Sequence, residues 1–209
     1  MAHPRFNKLP AERRRVILDV AAEEFAEHGF DSASYNRIIE RAGISKGSAY
    51  YYFEGKEDVY ATVLEATVEG LLRQLGEWTT PRDARDFWRQ LRRLYFTLID
   101  FVMGDERSAR LIRGLSQARM NPKLQSLWGR FEAPMTEWLR RVLGDGRKVG
   151  AVRTDVPEDL LLVAMAGIGQ ATDFWLLEQW ERQGADALQR SAEQVFALLE
   201  ELATGRPRS

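Results

Sequence analysis

ASYNRIIERAGISKGSAYYYFEGKED, residues 33–58, reads as two short helices joined by a glycine turn. Ser34 offers a hydroxyl to the unpaired backbone N–H groups of a helix start, and Ile38, Ile39 and Ala42 give that helix its apolar contacts. Gly43 closes it, because glycine adopts the left-handed conformation at least steric cost. Ile44 anchors the turn, Ser45 caps a second helix from Lys46 to about Phe53, and Gly55 follows. This is the pattern of a helix-turn-helix, whose second helix enters the DNA major groove. Lys46, Ser48, Tyr51 and Tyr52 fall on its expected outer face, and Gly47 lets the backbone approach phosphate. Such side chains donate hydrogen bonds to phosphate or base edges, and an aromatic ring can touch a thymine methyl.

Working outward, residues 10–65 resemble the DNA-binding domain of the tetracycline-repressor (TetR) family. The resemblance is carried by Phe25, Gly29, Phe30, Ser34, Ile38, Ala42, Gly43, Ser45, Lys46, Gly47, Tyr50, Tyr51, Phe53, Lys56 and Val59, at the family's spacing. It implies a dimeric transcriptional regulator that binds double-stranded DNA, with C-terminal helices that take a small-molecule inducer. Ser34, Arg37, Ser45, Lys46, Gly47, Ser48, Tyr50, Tyr51, Tyr52 and Lys56 are then the expected DNA contacts. The chain departs from the family pattern at Ile39, where a small residue is usual, and at Tyr52, where a histidine often stands.

The charge balance is nearly even, at a formal −1 from 30 basic and 31 acidic residues, so any DNA contact must come from a local patch. Arg5, Lys8, Arg13, Arg14 and Arg15 crowd the N-terminus around one acid, Glu12, while Arg37, Lys46 and Lys56 flank the motif. With no cysteine, disulfides, thiolate zinc sites and cysteine nucleophiles are excluded, and a reducing cytoplasmic location is expected. Neither of the two histidines is placed for catalysis: His3 lies in a polar leader and His28 at a helix end beside Gly29, where the helix dipole favours it. The longest apolar run, residues 160–169, falls well short of the ~20 residues a membrane span needs. Asp100 and Asp173 lack a partner at any catalytic spacing. No enzyme activity, cofactor or metal is expected.

The rest of the chain carries helical periodicity and no alternating run, which predicts an all-α fold: a three-helix DNA-binding domain over 1–55 and a helical ligand-binding and dimerisation domain over 56–209. The first helix runs from Ala11 to about His28 behind Pro10. Others run from Lys56 to about Trp78, Arg82 to about Met103, Glu106 to about Ala118 and Pro122 to about Leu143, the last kinked at Pro134. Residues 144–157 read as a loop, followed by helices from Pro157 to about Arg182 and Asp186 to about Ala203. Six tryptophans, five of them between Trp88 and Trp180, exceed what a plain bundle needs and point to an apolar pocket. Trp88, Tyr95, Trp128, Phe131, Met135, Trp138 and Trp175 are its expected walls, with Asp100, Gln117, Gln170 and Asp173 as polar groups for a small hydrophobic or aromatic ligand. Ala164, Gly167 and Ala171 put small side chains on one face, and Leu188, Ala192, Val195, Phe196 and Leu199 form a second stripe. Two such helices and their symmetry mates make an intermolecular four-helix bundle. The same stripes also suit burial within one chain, and a dimeric small-molecule carrier without operator binding is the alternative function.

Overall fold

The computed structural model describes residues 4–118, 121–183 and 185–205, except for the side chains at 115–118, 173–174, 177, 180–181, 183 and 185–186. Its described residues form helices and no strand: α1 Pro4–Asn7, α2 Ala11–Ser32, α3 Tyr35–Arg41, α4 Lys46–Tyr52, α5 Lys56–Leu75, α6 Ala84–Gly104, α7 Glu106–Ala118, α8 Gln125–Lys148, α9 Glu158–Gln183 and α10 Ala185–Thr204. They group into two compact units, one of residues 1–73 with 104–128 and one of residues 74–103 with 129–209. The first unit reaches past residue 55, because most of α5 and the whole of α7 join it.

In that unit Ile17, Ala21, Phe25, Ile38, Ile39, Phe53, Val59 and Leu64 are buried together, from the apolar faces of α2, α3 and α5 and the residue ending α4. The helical course of α2 breaks at Gly29, with φ 67° and ψ 173°, and the turn that follows folds Phe30 back against Phe25 and Tyr60. Helix α7 lies along α2, with Arg107 3.6 Å from Asp19. Close approach in this unit depends on Gly114, where a Cβ would overlap the hydroxyl oxygen of Tyr60 on α5. Tyr60 is buried, and burial pushes its phenol up to about 12.

The sequence suggested only a polar leader before Pro10. The structure instead forms α1, because Phe6 finds an apolar seat: it is 2% exposed, with its ring 4.8 Å from that of Phe53. Burying such a ring is worth about 1.5–3 kcal/mol, enough to hold one helical turn in place.

The second unit has two apolar centres. One joins Phe87, Val142, Leu143, Ala151, Val152, Leu161, Leu162, Met165 and Ala203; the other joins Ile99, Leu176, Leu188, Ala192 and Val195. Helix α8 is unbroken across Pro134 and runs on to Lys148, so the expected loop 144–157 is helical at its start. Asp145 explains part of this, since it accepts hydrogen bonds from Trp78 Nε1 at 3.1 Å and Lys148 Nζ at 2.9 Å. At Gly146 a Cβ would meet Phe87 at 2.8 Å and crowd Val152, so a bare backbone is required where the end of α8 meets its neighbours. Beyond it, the backbone N–H of Arg153 donates to the Ala203 carbonyl at 2.8 Å, fastening the loop to α10.

Candidate nucleic-acid interface

The two helices of the motif stand where the caps put them. Ser34 Oγ accepts the Arg37 N–H at 3.3 Å, and Ser45 Oγ accepts the Ser48 N–H at 3.0 Å. Each such cap stabilises its helix by about 1 kcal/mol. Gly43 takes φ 61° in the turn between them. The turn is held from outside as well, because Arg13 Nη2 donates to the Gly43 carbonyl at 2.7 Å.

On α4, Ala49 is fully buried and fixes which face points inward. Ser45, Lys46, Gly47, Tyr50 and Tyr51 are exposed, Tyr50 at 59% and Tyr51 at 49%. Ser48 is half-buried, and its hydroxyl shares a hydrogen bond with Ser45 at 2.9 Å. Tyr52 is also half-buried, edge-on to Phe6 at 6.1 Å, so its ring is engaged by the protein itself. Tyr50 meets Tyr35 edge-on at 5.7 Å, and burial pushes the Tyr35 phenol up to about 12.

Two of the expected cations are tied to their own chain. Lys56 Nζ donates to the carbonyls of Asp31 and Ala33 at 3.0 and 3.1 Å and lies 4.7 Å from the Phe30 ring centroid, which leaves one of its three hydrogens for another acceptor. Arg37 faces a buried acid that the sequence reading passed over. Glu24 is 0% exposed on α2; its Oε1 accepts the Ser34 N–H at 2.8 Å and lies 3.4 Å from Arg37 Nε. Its Oε2 lies 3.9 Å from Arg41 and 3.8 Å from His28, while Arg37 Nη1 meets His28 Nε2 at 2.9 Å. Glu24 therefore anchors the start of α3 to α2. The signal was present: Ile17, Ala21, Glu24 and His28 recur at helical spacing, which puts a charge on a buried stripe.

The second unit corrects several expectations. Asp100, Met135, Trp138 and Trp175 are exposed, so they do not line an enclosed pocket. Trp88, Tyr95, Phe131 and Gln170 are half-buried. Trp88 and Tyr95 come together around Phe196, at 6.3 and 5.4 Å between ring centroids. Trp128 belongs to the first unit, where its indole N–H is buried and finds no acceptor among the described residues. The side chains of Gln117 and Asp173 lie outside the described residues.

A cavity of about 550 Å³ is lined by Gly76, Glu77, Thr79, Thr80, Arg82, Asp86, Arg89, Gln90 and Arg93, none of them an expected ligand residue. Asp86 organises it, accepting hydrogen bonds from the Arg82 backbone, Arg89 and Gln90. These bonds, the one from the Arg82 backbone first, hold its carboxyl below the usual range.

On the expected dimer surface, Leu188, Ala192, Val195 and Phe196 are buried within the unit, because the α10 stripe is already covered by α6 and α9 residues such as Ile99 and Leu176. Leu199 is half-buried beside them. Gly167 and Ala171 are exposed and Ala164 half-exposed, in line with Val163 at 70%, Leu160 at 57% and Trp175 at 41%. Leu198, at 50%, is the exposed large apolar residue of α10.

A capped helix pair around a left-handed glycine, with a second helix whose exposed face is cationic and aromatic, defines a helix-turn-helix protein. The family model described as "Bacterial regulatory proteins, tetR family" matches residues 17–63, spanning the whole motif. An HTH-type transcriptional repressor of Mycobacterium tuberculosis is 30% identical over 164 residues, covering 72% of this chain and 75% of that protein. The transcriptional activator FasR of Mycolicibacterium smegmatis is 35% identical over 109 residues, 52% of this chain and about half (49%) of FasR's own length. Among solved structures, FadR of Bacillus subtilis in complex with stearoyl-CoA shares the fold, with a TM-score of 0.69 at 23% identity over 92% of this chain and 98% of FadR. The chain belongs to the tetR family of bacterial regulatory proteins. No helix among the described residues is long and apolar enough to cross a membrane.

Proposed function

We propose that the protein is a ligand-responsive transcriptional regulator, a repressor that binds an inverted-repeat operator as a dimer and is released by a small hydrophobic ligand. The exposed face of α4 carries this reading: Lys46 is exposed at the helix start, Gly47 leaves the backbone bare beside it, and Tyr50 and Tyr51 stand out next to them. Ser34, Ser45 and Ser48 complete the set as polar groups at the helix starts. Arg37 and Lys56 act chiefly by fixing α3 and the start of α5, and each has at least one N–H left over for phosphate. Tyr52, held against Phe6, supports the position of α4 and does not read bases.

Two copies present their α4 helices about 34–36 Å apart, or a multiple of that turn. The ligand reading rests on the aromatic cluster of Trp88, Tyr95 and Phe196, and on the precedent of FadR with stearoyl-CoA. A ligand shifts the DNA equilibrium only by its differential affinity for two conformations, a coupling of typically ~1–3 kcal/mol. The chain passes from one unit to the other within α5, at the junction of α6 and α7, and within α8, so the coupling runs through these segments.

The test is selection of an operator from a randomised duplex pool, followed by gel-shift at several salt concentrations. Lys46→Ala weakens binding to all sequences alike and flattens the salt slope by about one unit per protomer. Ser48→Ala changes the preferred base at one position per half-site. A protein that enriches no sequence and binds no duplex at low salt is a carrier, not a regulator. Tryptophan fluorescence titrated with hydrophobic compounds beside the same gel-shift completes it: quenching with no change in DNA affinity refutes the switch.

A further inference from the structure

We infer that α1 is part of the DNA-binding surface, and that Arg5, stacked on Tyr51 of α4, delivers a backbone phosphate contact beside the recognition helix. The inference rests on the reading of α4 as that helix. Three observations carry it. First, α1 is held by two contacts: Phe6 is buried against Tyr52 and Phe53, and Arg14 Nη1 donates to the Asn7 carbonyl at 2.7 Å. Second, the Arg5 guanidinium lies 4.2 Å from the centroid of the Tyr51 ring. Third, Tyr51 is 49% exposed on the side of α4 opposite the buried Ala49, so whatever stacks on it lies on the solvent face of that helix.

The chemistry follows from the shape of a guanidinium. Stacking occupies its flat face and leaves the N–H groups around its edge pointing outward, and no other partner of this side chain occurs among the described residues. A planar fork of donors held rigid on a ring is suited to two oxygens of one phosphate, and it loses little conformational freedom on binding. A flexible basic leader gives the same charge without the fixed position. Phe6 supplies the position, which is why a segment of four residues has a fully buried aromatic side chain at its centre.

The experiment compares the full chain with Arg5→Ala, Arg5→Lys, Tyr51→Phe and Tyr51→Ala on one 30-base-pair duplex carrying the selected site and on one of unrelated sequence. Arg5→Ala is expected to weaken both complexes roughly three- to tenfold and to flatten the salt slope by about one unit per protomer. Arg5→Lys restores the slope but only part of the affinity, since an ammonium is a point charge without the fork. Tyr51→Phe keeps the ring under the guanidinium, so adding Arg5→Ala to it still flattens the salt slope by about one unit per protomer. The double variant Arg5→Ala/Tyr51→Ala is no weaker than Tyr51→Ala alone, because the two side chains act as one unit.

Thermal melts check that Arg5→Ala folds as the wild type does. An unchanged salt slope in Arg5→Ala, with Lys46→Ala still flattening it, overturns this assignment while leaving the regulator reading intact. A changed sequence preference in Arg5→Ala makes Arg5 a base reader and overturns the phosphate assignment. Failure of the wild type to bind either duplex overturns both readings together.

Discussion

Glu24 shows how a single side chain can set the geometry of a reading surface that it never touches. Its carboxylate takes the first N–H before α3 and gathers Arg37, Arg41 and His28 around one buried point. Glu24→Ala leaves the Ser34 N–H without an acceptor, which costs about 1–3 kcal/mol. The two arginines are partly exposed and recover water, so the loss stays below that of a fully buried ion pair. Glu24→Gln keeps an acceptor for Ser34 and loses less. Urea unfolding of the three proteins checks the order, wild type above Gln above Ala; equal midpoints for Gln and Ala would sink the argument.

The same scale shows where sequence reasoning works. Ser34, Gly43 and Ser45 were legible because a cap or a left-handed turn is decided within four residues of chain. The partners of Arg37, Lys56 and Tyr52 were not, because they come from 9 to 46 residues away in sequence.

At the scale of elements, α9 and α10 behave differently although both carry apolar stripes. An amphipathic pattern says that a face is covered, not by what. On α10 the stripe is covered inside the chain, while α9 leaves Leu160, Val163, Gly167, Ala171 and Trp175 uncovered along one side. A second copy is the expected cover for that side, with Leu198 joining it. Gly167→Leu, with open space around its backbone, should leave the fold stable and turn the proposed dimer into a monomer in sedimentation. Ala192→Leu, at 0% exposure, does the reverse: it overpacks the core, costs about 1–3 kcal/mol in a melt, and leaves the association constant of the folded chain alone. A Gly167→Leu protein that still sediments as a dimer assigns the interface elsewhere.

For the molecule as a whole, near-neutral net charge hides a separation of tasks. Cations cluster around the helix-turn-helix, and the second unit uses several carboxylates as internal fasteners. Asp145 is held below the usual carboxyl range first by the hydrogen bond from Lys148, Asp155 first by that from Arg153, and Asp86 first by the backbone of Arg82. A carboxyl whose pKa is lower when folded contributes stability that is complete above its unfolded pKa, about 3.9, and is lost as pH falls through the folded value. Melting temperature should therefore fall with pH only below about 4 on account of these three. Asp145→Asn should flatten that acid limb, and an unchanged acid limb in this variant would show that its fastening is not coupled to folding.

The contact between Gly114 and Tyr60 ties two positions 54 residues apart into one inherited unit. Alanine at 114 has no room while the phenolic oxygen is present, yet the ring carbon bearing that oxygen stands 3.6 Å away, an ordinary contact for a methyl group. Gly114→Ala alone should therefore unfold at lower temperature, and adding Tyr60→Phe should recover most of the loss. In a library randomised at both sites and selected for folded protein, alanine at 114 should survive chiefly in clones that also carry phenylalanine at 60. The pair would drift together or not at all, so a change on the α5 side of this contact opens a path for α7 that no single substitution offers.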